Sequence, residues 1–219
     1  MTTNTTESAA DSQTQKATQN QNKSRVSQDD STNDSSYRSP YKSPSDADQS
    51  HLHQMIRVDH AGEYGAVRIY QGQMDALKGR SQNLDLIRHM QEQEEHHLAT
   101  FNDLIAKHKV RPTLLNPLWH VAGYAMGYIT GRMGEKAAMA CTVAVENCID
   151  KHYEKQQESL EKRQNHPELL KIVKQFRAEE LEHRDTALEH GAEQTPGFDV
   201  INTVITKASK LAIFLSKRL

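Results

Sequence analysis

The chain is poor in the features that build most fold classes. Its 219 residues include only two cysteines, one tryptophan and six prolines, and aromatic side chains make up 5%. Cys141 and Cys148 stand seven residues apart in a helical pattern. A rise of about 1.5 Å per residue then separates their Cα atoms by roughly 10 Å, beyond the reach of a disulfide. They read as buried free thiols with a packing role, in keeping with a reducing cytoplasm. No stretch alternates with the period of two that a half-buried strand needs, so a sheet is not expected. Charge of one sign is lacking as well. With 27 basic and 29 acidic residues the formal net charge is -2, which is not the footprint of a nucleic-acid binder. A Gly-rich dinucleotide fingerprint is missing, and with it any built-in nicotinamide domain.

The first fifty residues contain no Leu, Ile, Phe, Trp or Gly and are crowded with Ser, Thr, Gln, Asn and Asp. Such a segment cannot bury enough apolar surface to fold, so residues 1–50 read as a disordered polar tail and 51–219 as one domain. A secretory signal needs a continuous apolar core. A mitochondrial presequence is poor in acids, yet Glu7, Asp11, Asp29, Asp30 and Asp34 are scattered here. Neither export nor mitochondrial import is expected.

From Leu52 onward the chain is helical in pattern. Ile56, Val67, Tyr70, Met74 and Leu77 form a first stripe, with Gly79 as its stop. Ile87, Met90, Leu98, Phe101, Leu104 and Ile105 form a second, ending at Arg111-Pro112, where the restriction on the residue before proline disfavours helix. A third helical region starts after Pro117 and carries Met139, Thr142, Ile149, Tyr153 and Leu160 on one face. Asn165 is placed to cap a fourth helix with Pro167 in its first turn and Leu169, Val173, Phe176 and Ala187 as its stripe. After Thr195-Pro196-Gly197 a fifth, amphipathic helix carries Ile201, Val204, Ile205, Ala208, Leu211, Ala212 and Leu215.

Charged residues interrupt the first four stripes where the period calls for core residues. Glu63 lies between Ile56 and Val67; Glu94 and His97 continue the Ile87, Met90 series one turn apart; Glu146 lies between Thr142 and Ile149; Glu180 and His183 lie between Phe176 and Ala187. Four inward carboxylates need compensating positive charge, and no Lys or Arg supplies it on those faces. Two divalent cations balance four carboxylates in formal charge, and two neutral imidazoles add donors without altering that sum. With 12 His in the chain, a Glu-x-x-His match arises about once by chance, so the weight comes from position and symmetry. Glu63 precedes Glu94-x-x-His97 by 31 residues and Glu146 precedes Glu180-x-x-His183 by 34, as in two similar helix pairs. One Glu from each of two helices and Glu-x-x-His from each of two others is the ligand set of di-iron and di-manganese bundles. Oxygen-rich sites with one imidazole per ion suit iron or manganese better than structural zinc.

The run Ile56-Arg57-Val58-Asp59-His60-Ala61-Gly62-Glu63-Tyr64-Gly65-Ala66 resembles the opening motif of the demethoxyubiquinone hydroxylase family. Arg111-Pro112-Thr113, Pro117-Leu118-Trp119, Ala138 to Glu146 and Glu179-Glu180-Leu181-Glu182-His183 are similar to family segments in the same order. The resemblance runs from about Leu52 to Leu219. It implies an all-α, ferritin-like four-helix bundle with an additional C-terminal amphipathic helix. It also implies two iron ions held by Glu63, Glu94, His97, Glu146, Glu180 and His183, with Glu94 and Glu180 bridging. The implied activity is O2-dependent hydroxylation of a polyprenyl quinol ring in ubiquinone biosynthesis, within an assembly of such enzymes at the cytoplasmic side of a bacterial cell membrane. His152 and Tyr153 match a His-Tyr pair of functional importance in the family; Tyr153 also lies on the core stripe, where packing alone accounts for it. Asp59, one turn before Glu63, either orients a ligand or satisfies a local hydrogen bond.

Leu118 to Met133 is apolar, with Gly123, Gly127 and Gly131 at four-residue spacing, but falls short of the roughly 20 residues that span a bilayer. Shallow insertion is the expectation, helped by Lys207, Lys210, Lys217 and Arg218 of the terminal helix meeting anionic headgroups. The same glycine spacing serves close helix packing or association into a homo-oligomer. Two other functions compete: a ferritin-like iron store or peroxide scavenger, and a metal-free structural adaptor.

Overall fold

The structure, a computed structural model, describes residues 45–219. Its helices are α1 (Asp46–Leu77), α2 (Leu84–His108), α3 (Asn116–Met133), α4 (Glu135–Arg163), α5 (Pro167–Glu189) and α6 (Phe198–Ser216), with a 3-10 turn at Ala192–Gln194 and no strand among the described residues. The architecture is an all-α, ferritin-like bundle of α1, α2, α4 and α5, to which α3 and α6 are added. Residues 1–44 of the polar tail lie outside the described residues.

Asp46 to Ser50, assigned by composition to the tail, instead form the start of α1. Ser45 explains why: the Asp48 backbone N–H donates to Ser45 Oγ at 3.2 Å while the Ser45 N–H donates to Asp48 Oδ2 at 3.3 Å, a reciprocal cap that satisfies two end groups. The region after Pro117, expected as one helix, is two. Gly134 between them has φ 126° and ψ 169°, a backbone that residues with a Cβ rarely adopt, so α3 stops there and α4 restarts in a new direction. The start of α5 also differs from expectation. His166, in the left-handed region at φ 49°, occupies the cap position without a side-chain bond, and Pro167 follows it in place of the Asn165 cap.

The two helix pairs implied by the glutamate spacing are present, α1 against α2 and α4 against α5. Their core has two parts. Ile56, Phe101, Tyr153, Leu160, Val173 and Phe176 belong to one apolar cluster, and Tyr70, Leu77, Ile87, Met90, Met139 and Ala187 to another. Each such fully buried large side chain contributes about 1.5–3 kcal/mol, so the rods are held on both sides of the polar residues between the clusters.

The glycine row of α3 faces α1 within the chain. A Cβ at Gly127 would sit 1.9 Å from the Ile69 carbonyl oxygen and one at Gly123 2.8 Å from that of Gly65; in return, Gly72 of α1 approaches the Tyr124 carbonyl of α3. The glycines thus permit backbone contact between α3 and α1, the close-packing alternative of the sequence reading. The opposite side of α3 exposes Val121, Ile129 and Met133, and α6 exposes Val200, Val204 and Phe214. No described helix is long and apolar enough to cross a membrane.

Candidate metal centre

Glu63 on α1, Glu94 and His97 on α2, Glu146 on α4, and Glu180 and His183 on α5 all point into the bundle, none more than 1% exposed. They form two overlapping groups. One donor atom from each of Glu63, Glu94, His97 and Glu180 lies within 4.8 Å of the others, as does one from each of Glu94, Glu146, Glu180 and His183. Glu94 and Glu180 are common to both. Glu94 offers Oε1 to His183 Nδ1 at 3.1 Å and Oε2 to His97 Nδ1 at 3.7 Å; Glu180 offers Oε1 to His97 Nδ1 at 3.2 Å and Oε2 to His183 Nδ1 at 3.4 Å. Each shared carboxylate therefore faces both imidazoles, one oxygen to each.

The surrounding hydrogen bonds orient these donors. His97 Nε2 donates to Glu179 Oε2 at 2.6 Å and His183 Nε2 donates to Gln93 Oε1 at 3.0 Å, which leaves both Nδ1 atoms turned to the centre. The Tyr70 hydroxyl donates to Glu146 Oε1 at 3.0 Å, and the Tyr153 hydroxyl donates to Glu63 Oε1. Tyr153 does more than pack, then. His152 is separate: its Nε2 meets Asp59 Oδ1 at 2.9 Å, where Gln156 Nε2 also donates at 2.7 Å. Asp59 thus joins α1 to α4 over 93 residues of sequence rather than closing a local bond.

The electrostatics show what the site wants. Burial pushes the Glu63 and Glu146 carboxyls well above the ordinary value of 4.5, and the neighbouring Glu94 and Glu180 charges add to the effect. Burial also opposes ionisation of Glu94, but the two imidazoles facing its oxygens, His183 and His97, outweigh it and hold Glu94 at about 2. Burial disfavours the charged imidazoles; the nearby carboxylates, Glu180 first, reverse this, raising His183 to about 10 and His97 further. Four carboxyls buried in one place call for positive charge, which protons or cations can supply.

Glu63 Oε2, Glu146 Oε2, both oxygens of Glu94 and of Glu180, and Nδ1 of His97 and His183 are buried without a hydrogen-bond partner. Buried polar atoms are almost always paired, and here the unpaired ones converge on one place with no Lys or Arg among them. That donor set fits metal ions: carboxylate-rich, one imidazole per group, each imidazole backed by an acceptor.

An apolar cavity of about 150 Å³ lies between α1, α3, α4 and α6, with sequence neighbours of Glu63 and Glu146 in its wall. Its wall includes Gly62 and Gly65 on either side of Glu63 in sequence and Val145 before Glu146, together with Trp119 and Met126 of α3 and Ile213 of α6.

The sequence reading missed Gln93 and Tyr70 as partners of the donors and treated Glu179 only as part of a motif. A signal was present: Tyr70 and Tyr153 each follow a lone glutamate, Glu63 or Glu146, by seven residues, and Gln93 and Glu179 each immediately precede a Glu-x-x-His glutamate.

An all-α bundle with this buried carboxylate and imidazole cluster defines a ferritin-like protein equipped to hold metal. The family model described as ubiquinone biosynthesis protein COQ7 matches residues 50–216, and the chain belongs to that family. It is 52% identical over 167 residues to the 3-demethoxyubiquinol 3-hydroxylase of Rhodospirillum rubrum, covering 76% of this chain and 78% of that protein. It is also 52% identical to the mitochondrial NADPH-dependent 3-demethoxyubiquinone 3-hydroxylase of Rattus norvegicus, covering 75% and 76% of the two chains. It is 40% identical over 189 residues to the mitochondrial 5-demethoxyubiquinone hydroxylase of Saccharomyces cerevisiae, covering 80% of this chain and 81% of that one.

Proposed function

We propose that the chain is a di-iron monooxygenase that hydroxylates the benzoquinol ring of demethoxyubiquinol in ubiquinone biosynthesis. The observation that carries this reading is the pair of buried donor groups sharing Glu94 and Glu180. Glu63 and His97 would hold one ion and Glu146 and His183 the other, with Glu94 and Glu180 available to both. Bound iron supplies the redox chemistry that dioxygen activation needs. The chain supplies the rest. Tyr153 and Tyr70 hold the two terminal carboxylates by their hydroxyls, Glu179 and Gln93 hold the imidazoles, and the apolar cavity whose wall includes Gly62, Gly65 and Val145 would receive the apolar ring. His152 acts at one remove, through Asp59 and its neighbour Tyr153.

In the overall reaction a ring C–H becomes C–OH with one oxygen atom from O2. The other atom leaves as water, with two electrons and two protons from an external donor, a reduced nicotinamide or the quinol itself. The exposed apolar rows of α3 and α6, beside exposed Lys207 and Lys210, support peripheral binding at the cytoplasmic face of a bacterial membrane, where a polyprenyl substrate resides. Co-sedimentation with anionic liposomes tests that placement, and protein left in the supernatant would count against it.

The deciding experiment measures iron and demethoxyubiquinol hydroxylation together. The purified protein is expected to carry two irons per chain, and Glu146→Ala to lose stoichiometric iron and turnover while keeping its helix content. Full activity in that variant would refute the ligand assignment. Accumulation of demethoxyubiquinone in a deletion strain separates the hydroxylase from an iron store.

A further inference from the structure

The centre has a two-fold pseudo-symmetry that exchanges the helix pairs. Glu63 corresponds to Glu146, Glu94 to Glu180 and His97 to His183. The symmetry extends to the residues around the ligands. Tyr70 lies seven residues after Glu63 and bonds Glu146; Tyr153 lies seven residues after Glu146 and bonds Glu63. It extends once more: the residue before Glu94 accepts from His183, and the residue before Glu180 accepts from His97. At this last pair the correspondence fails in charge. One position is Gln93, a neutral amide at 3.0 Å; the other is Glu179, a carboxylate at 2.6 Å.

Resting on the metal-centre reading, we infer that the two metal positions are unequal, and that Glu179 makes the Glu63–His97 position bind a divalent cation first and more tightly than the Glu146–His183 position. A carboxylate accepting the Nε2 proton raises the basicity of the imidazole and pushes electron density toward Nδ1, whereas an amide oxygen does so weakly. Glu179 also brings a negative charge to its side alone. The shared carboxylates Glu94 and Glu180 face both positions, and each terminal glutamate accepts from one tyrosine hydroxyl, so neither feature adds charge to one position alone. Phe176 stacks on His97 at 3.9 Å between ring centroids, with no counterpart stacked on His183, but an apolar ring fixes orientation without adding charge. Glu179 and Gln93 are thus positioning residues, each acting through the histidine it holds.

The test removes one terminal glutamate at a time and titrates metal-free protein with Mn(II) alone, read by calorimetry and by the electron paramagnetic resonance of free Mn(II). Glu146→Ala retains the Glu63–His97 position and Glu63→Ala retains the other. The first should bind its ion more tightly, by roughly 10- to 100-fold, the size of effect seen when such outer partners are lost. Exchanging the partners, Gln93→Glu with Glu179→Gln, should reverse the order of the two half-site proteins. In the otherwise intact chain Glu179→Gln alone should weaken the first binding step and draw the two steps together. This near-isosteric change keeps the experiment decisive should a half-site variant fail to fold. Equal affinities in the half-site proteins, or an order that survives the exchange, would overturn the inference. So would unchanged stepwise constants in Glu179→Gln. No Mn(II) uptake by the unaltered chain would instead overturn the metal-centre reading itself.

Discussion

Gly62 and Gly65 lie in the interior of α1, one residue before and two after Glu63, and a Cβ at either would meet nothing within 4 Å. Mid-helix glycine costs about 1 kcal/mol relative to alanine, and no packing neighbour requires it here, unlike at Gly72 on the same helix. The space in front of both belongs to the apolar cavity. If that cavity receives the quinol ring, the two glycines sacrifice helix stability to keep it open, and opposite effects on stability and activity follow from one pair of changes. Gly62→Ala should raise stability by about 1 kcal/mol, a Tm gain of roughly 2–4 °C for a domain of this size. Gly65→Leu should place four carbons in a space of about 150 Å³, keep the iron, and lose most of its demethoxyubiquinol turnover. The assay pairs thermal unfolding and iron content with hydroxylation at varied substrate concentration. Gly65→Leu with full iron and unaltered kcat/KM would refute the assignment of the cavity to substrate. A lower Tm in Gly62→Ala would refute the argument that nothing packs there.

The same substitution should have the opposite sign on α3. Gly127→Ala would put a Cβ 1.9 Å from the Ile69 carbonyl oxygen, forcing the helices apart at a cost of about 1–3 kcal/mol or more, and an unchanged Tm would contradict the close approach. The pH dependence of the metal-free protein follows from Glu63, Glu146, His97 and His183, all raised in the folded state. Stability from a raised group is complete below its unfolded value, 4.5 for the carboxyls and 6.5 for the imidazoles, and is lost as pH climbs toward the folded one, about 10 for His183. Glu94, held at about 2, acts oppositely but only in stronger acid. Chelator-treated protein should therefore melt lower near pH 8 than near pH 5, with Mn(II) restoring the loss; a Tm that rises over this interval would show the site is not proton-neutralised. Tyr153→Phe leaves buried Glu63 without its hydroxyl donor and should cost about 1–3 kcal/mol in urea unfolding of the metal-free chain, a penalty that unchanged stability would rule out.

Periodicity in one helix reports which side of it is buried, and that is why so much of this site was legible. Glu63, Glu94, His97, Glu146, Glu180 and His183 could be placed together because each occupies an apolar register on its own helix, and charge balance then implied what they surround. The backbone exception at Gly134 gave no such sign. Apolar residues continue on both sides of it, and a glycine inside a helix looks the same in sequence as one in a left-handed break. The cap at Ser45 was hidden for a related reason, since the composition of a fifty-residue window averages over the few residues that start a helix.

The residues that hold the ligands were harder still, because their roles depend on the register between helices distant in sequence. Glu179 and Gln93 are half-buried polar residues that look like any solvated position until His97 and His183 arrive opposite them from the other helix pair. Once one half of the centre is known, however, the other half constrains it. If Tyr70 serves Glu146 across the bundle, a residue in the equivalent place after Glu146 should serve Glu63, and Tyr153 does. The same rule makes Gln93 and Glu179 a pair, so their difference in charge is a departure from a pattern the rest of the site obeys rather than ordinary surface variation. A centre whose ligands are duplicated but whose supports are not can still treat its two ions differently, and the difference would be set by residues that touch neither.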